Sequence, residues 1–106
     1  MRIINWQKLN GITYKGYVIG APRHSPNHKV YNINIYDLNK GFSGGLGIWM
    51  TMLNMGNHFQ LTLHFKEDSG QYGERTEILN YDCVKTMRNF LDCYEVLIDW
   101  YEFKKK

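Results

Sequence analysis

The chain is predicted to fold as an α+β domain: a small antiparallel β-sheet of about four to five strands, covered on one face by a long C-terminal amphipathic helix. Two periodicities and their order along the chain carry this expectation. From His58 to Lys66 apolar and polar residues alternate strictly, the signature of a strand with one buried and one wet face. From Asn80 to Phe103 the spacing changes to three and four, with Val84, Met87, Leu91, Tyr94, Ile98 and Tyr101 on one helical stripe widened by Phe90 and Leu97. Strand-like segments come first and the helical one last, an α+β arrangement. The 106 residues form one domain, 1–106, of a size that buries about two thirds of its unfolded surface.

Residues 1–10 read as a short strand or helical turn, and Asn10-Gly11 as a turn. Ile12 to Ile19 reads as a strand bent or bulged at Gly16. Gly20 to Asn27 holds both prolines and reads as a loop. Lys29 to Asp37 is a second strand, with Tyr31, Ile33 and Ile35 opposite Asn32 and Asn34. Leu38 to Gly45 is a loop; Leu46 to Leu53, apolar on both faces, reads as a central strand.

Asn54 to Asn57 makes a tight turn into the fourth strand, whose Phe59, Leu61, Leu63 and Phe65 point to the core. Glu67 to Gly73 is a polar loop, and Thr76 to Leu79 a short strand or a lead into the helix. Asn80 is the expected N-cap, with Asp82 in the first turn and Lys104 to Lys106 at the far end, both matched to the helix dipole. A rival parse ends the helix early, because Tyr94, Val96, Ile98 and Trp100 also alternate; no Gly, Pro or Asn between Asp92 and Phe103 marks such a break.

Composition is that of a globular protein, 43% apolar and 22% charged. No apolar run approaches the length of a membrane span, and the start lacks an apolar core and cleavage site of a signal peptide, so a cytoplasmic protein without membrane contact is expected. Cys83 and Cys93, ten residues apart on one helix, lie too far apart to bridge and are expected as reduced packing residues. Asn, Lys, Ile and Tyr make up 36 of the 106 residues, the composition of an AT-rich coding sequence such as that of a bacterium or its phage.

Charge is lopsided. Residues 1–66 carry seven cations against Asp37 alone, net +6, whereas residues 67–106 carry six cations against nine acids, net −3. The basic half also holds Trp6, Tyr14, Tyr17, Tyr31, Tyr36, Phe42 and Trp49. Cations interleaved with flat rings are the ingredients of a single-stranded nucleic-acid platform, so the candidate binding residues are Lys15, Tyr17, Arg23, His24, His28, Lys29, Lys40 and Phe42. A second charged face is the acidic stripe Asp92, Glu95, Asp99 and Glu102.

No motif fixes a chemistry. The run Gly41 to Gly47 lacks the Gly-Lys-Ser/Thr ending of a phosphate loop and precedes a strand, not a helix. His24 and His28 have no further metal ligands near them in sequence, and His58 and His64 are too far apart along a strand to share an ion. Ser25, Ser43 and Ser69 have no nucleophile-elbow setting. The expected function is therefore non-catalytic binding of a protein or protein–nucleic-acid complex: a small regulator or inhibitor of a nucleic-acid enzyme, of the phage or mobile-element anti-defence type. The alternative is a direct nucleic-acid-binding module using the basic aromatic sheet, with a small enzyme or ligand binder third. No cofactor or metal is expected.

Overall fold

In a computed structural model, which describes residues 6–39, 47–67, 70–80 and 86–104, the chain is a six-stranded antiparallel sheet curled around one helix. The strands are β1 (Thr13–Tyr14), β2 (Tyr17–His24), β3 (Val30–Asp37), β4 (Ile48–Asn54), β5 (His58–Lys66) and β6 (Tyr72–Asn80), ordered in space as in sequence. A single 3-10 turn, Trp6–Leu9, precedes them, and the helix α1 runs from Thr86 to Lys104.

The α+β class and the helix-on-sheet arrangement stand, but the strands number six among the described residues. Three local effects account for the difference. At Lys15-Gly16 both residues take positive φ, 52° and 85°, so the segment read as one bent strand is a two-residue hairpin whose turn twists with its strands. Beyond Gly20 the chain bulges, with Ala21 at φ 47°. The bulge absorbs Pro22, which has no N–H for a ladder, and β2 continues to His24 where a loop was expected. The third effect is β6, nine residues in an edge position. Its Glu74, Arg75 and Glu77 protect a free edge and erase the hydrophobic alternation that would have announced a strand.

Asn80 therefore closes β6, paired with His58, and is not a helix cap. Asp82, Cys83 and Val84 lie outside the described residues, as do the expected dipole-matching Lys105 and Lys106. The helix is continuous through Tyr94, Val96, Ile98 and Trp100, so the rival strand parse is excluded.

The concave face of the sheet and the helix share one core. Tyr17, Ile19, Ile33, Ile35, Met50, Met52, Phe59, Leu61, Leu63 and Leu79 supply the sheet side and Phe90, Tyr94, Leu97, Ile98 and Tyr101 the helix side. The buried helix stripe is thus centred on Leu97 and Tyr94. Leu91, expected in the seam, is 37% exposed, whereas Leu97 is 0% exposed. Phe65 packs edge-on to Trp100 and Tyr101, and Tyr101 edge-on to Tyr17. Deep in the core the Tyr94 hydroxyl donates to the Tyr17 carbonyl at 3.0 Å, satisfying a polar group where water is absent. Burial pushes the Tyr94 phenol well above its ordinary pKa. The half-buried Cys93 thiol, also raised chiefly by burial, points at the Ile78 carbonyl 3.8 Å away.

Candidate functional site

Several residues expected to form two separate binding faces instead meet each other. The Lys15 ammonium lies 2.5 Å from Asp99, which also accepts from the Tyr14 hydroxyl at 3.1 Å. This contact holds the Asp99 carboxyl below the ordinary carboxylate range and raises the Lys15 ammonium. Tyr17 is not an exposed stacking ring: it is fully buried and donates its hydroxyl to Glu102. Burial first, and then that hydrogen bond, pushes its phenol far above the ordinary value. Lys15, Tyr17, Asp99 and Glu102 therefore fasten the helix across the first hairpin. Asp92 and Glu95 remain exposed on the outer side of the helix.

Of the other expected binding residues, Lys40 and Phe42 lie outside the described residues, with most of the glycine-rich run. Arg23 and Lys29 are exposed. His24 and His28 stack at 4.1 Å beside Tyr31, at the tip of the β2–β3 hairpin. The Ser25 hydroxyl ties that tip by accepting from the backbone N–H of Lys29 and Val30, each at 3.2 Å. Among the described residues no three His, Cys, Asp or Glu side chains converge as a metal site.

The convex face of the sheet holds a cluster that sequence reasoning missed. Register places Trp49 of β4 opposite His64 of β5, and His64 opposite Glu74 of β6. Trp49 and His64 stack nearly parallel as one offset pair, 5.3 Å apart and 12° between planes. Tyr72 stands across it at 80°, 6.5 Å from Trp49. With Gly73 and Glu74 these residues line an open depression of about 310 Å³. Lys66 hangs over the Tyr72 ring, its ammonium 5.6 Å from the centroid.

Two polar contacts flank the His64 ring. His64 Nδ1 lies 3.2 Å from Glu74 Oε2, and Nε2 lies 2.9 Å from the Thr51 hydroxyl. The Thr51 hydroxyl can donate to Nε2 or accept from it, according to the ring's tautomer. This hydroxyl–imidazole–carboxylate line resembles the order of a nucleophilic relay, but acyl transfer also needs free N–H groups aimed at an oxyanion. Thr51 and His64 sit on β4 and β5, each paired on both sides, and their amides belong to a continuous sheet. The line serves to orient an imidazole.

Around the depression the convex face is polar and sparsely charged. Arg23, Asn32, Thr51, Thr62 and Thr76 form one row across the strands. Glu74 is the only acid among the described outward-facing strand residues, while Asp92 and Glu95 sit on the helix side. The chain matches no family model, no curated protein and no solved structure.

The missed residues were partly legible. Once Asn54 to Asn57 is read as a tight turn, antiparallel pairing sets Trp49 against His64. Tyr72 was hidden in the segment read as a polar loop, Glu67 to Gly73, and Glu74 fell before the short strand considered at Thr76 to Leu79.

Proposed function

We propose that this is a non-catalytic binding protein that meets a macromolecular partner through the convex face of its sheet, with the Trp49–His64–Tyr72 cluster as the centre of contact. The observation that carries this reading is Tyr72. It is 69% exposed, on an edge strand, and aligned with a tryptophan instead of tucked into the core. Aromatic anchors ringed by polar side chains are the usual energetic centres of recognition surfaces. The strands that carry Thr51 and His64, paired on both sides, favour binding over catalysis. Regulation or inhibition of a nucleic-acid enzyme, of the phage or mobile-element type, remains the proposal for the partner's class and rests on composition and charge alone.

The test is comparative capture from the native cell. Wild-type protein and a Tyr72→Ala, Trp49→Ala double variant are used side by side, each with and without nuclease. Loss of the same specific partner from the folded double variant supports the reading. Equal capture by both proteins refutes the convex face as the contact.

A further inference from the structure

We propose that the depression between Trp49, Tyr72 and Glu74 is a single-base pocket for single-stranded nucleic acid, selective for bases that carry an exocyclic amino group. The proposal rests on the reading of the convex face as the contact surface and names its ligand.

The geometry suits a planar ring. A base laid on the exposed Tyr72 ring would meet Trp49, turned 80° from that ring, edge-on, which gives the two favoured aromatic arrangements. At about 310 Å³ the space lies at the small end of ligand pockets.

The charges suit a polyanion. Lys66 stands beside the Tyr72 ring, and Arg23 lies two strands and one row from Trp49, roughly 12 Å by sheet spacing. Between them are Asn32, Asn34 and Thr51, uncharged donors and acceptors for a backbone passing over the sheet. The free acids Asp92 and Glu95 sit on the helix side, away from this track.

Selectivity comes from Glu74. One carboxylate oxygen lies 3.2 Å from His64 Nδ1, and the second is able only to accept. Cytosine, adenine and guanine offer an amino group to it. Thymine and uracil present carbonyl oxygens on both sides of their one N–H, and these repel a carboxylate.

Fluorescence anisotropy with labelled oligo(dC), oligo(dA), oligo(dT) and their RNA counterparts at about 50 mM salt tests the proposal. The wild type is expected to bind the C and A polymers more tightly than T or U. Tyr72→Ala, on an exposed edge, should weaken binding between about five-fold and 150-fold, the worth of one base–ring stack. Glu74→Gln should bring the C:T ratio toward one, because an amide donates as well as accepts. Lys66→Met should lower affinity for all sequences alike and flatten the salt dependence by about one phosphate.

Absence of binding to every polymer overturns the proposal. If a captured protein partner still depends on Tyr72 and Trp49, the convex-face reading survives that result. Oligonucleotide binding that ignores both Tyr72→Ala and Glu74→Gln overturns the pocket, and equal partner capture by the Tyr72→Ala, Trp49→Ala variant overturns the convex-face reading.

Discussion

The rotation of the helix about its own axis decides what is core, and one substitution made at two positions tests it. Leu97 is 0% exposed and lies in the buried stripe with Tyr94, Ile98 and Tyr101, whereas Leu91 is 37% exposed. Truncating a fully buried leucine to alanine costs about 2–5 kcal/mol. At about 4 °C per kcal/mol for a domain near this size, Leu97→Ala should lower the melting temperature by about 8–20 °C. Leu97→Asp adds an unpartnered buried carboxylate, and the total rivals the whole stability of a small domain, about 5–15 kcal/mol. That variant should be unfolded or molten. Leu91→Asp forfeits only the buried part of a leucine, about 1–2 kcal/mol, and Arg88 one turn earlier can answer the new charge. It should melt within about 8 °C of the wild type. Circular dichroism melts of the three variants measure this directly. Collapse of Leu91→Asp, or an unchanged melt for Leu97→Asp, would refute the assigned helix face.

Three further outcomes are expected. A Cβ on Gly73 would lie 2.3 Å from the Phe65 ring, which Trp100 and Tyr101 pin, whereas one on Gly20 would meet the half-buried Tyr36 ring. Gly73→Ala should therefore cost about 1–3 kcal/mol in urea unfolding, and more than Gly20→Ala, whose neighbour can swing outward; the reverse order would contradict the packing. NMR titration should find Asp99 ionising below the ordinary aspartate range and moving up in Lys15→Met. Because its folded pKa is depressed, the stability it contributes is present above the ordinary value and is lost as pH falls through the lowered one. Lys15, with a raised folded pKa, contributes below the ordinary lysine value and loses that contribution as pH rises through its own. In a Cys83→Ser background, Cys93 should alkylate slowly at neutral pH, since burial raises its thiol pKa; reaction at the rate of a free thiol would place it outside the helix–β6 contact.

Where one physical cause dominated, the sequence could be read. Strand β5 alternates because one side is core, and its predicted span, His58 to Lys66, agrees residue for residue. Strand β3 behaves alike, with Asn32 and Asn34 outward. Reading failed where two causes competed. Pro22 argued against a ladder, yet a bulge removed the conflict. Glu74, Arg75 and Glu77 blurred the alternation, so only Thr76 to Leu79 suggested a short strand, yet an edge strand gains from charge. Leu91 fitted the helical stripe as well as Leu97 did, and only the curvature of the sheet beneath chose between them. The acidic stripe was visible as a pattern, but that Asp99 and Glu102 turn inward to Lys15 and Tyr17 depends on contacts made across most of the chain.

Those contacts shape how the molecule assembles. Each strand pairs with its neighbour in sequence, mostly across a handful of residues, but the Tyr94–Tyr17 hydrogen bond joins residues 77 apart and the Tyr14–Asp99 bond residues 85 apart. Loop-closure entropy rises with the logarithm of length, so the helix clasp costs about 2–3 kcal/mol more to close than a hairpin. The meander is expected to zip first and the helix to dock last, and to be the first element released on unfolding. A molecule caught with its helix undocked would bare the aromatic concave face beside the edge strand β6. That is the state from which aggregation would start, and shielding it is a task the helix performs in addition to packing.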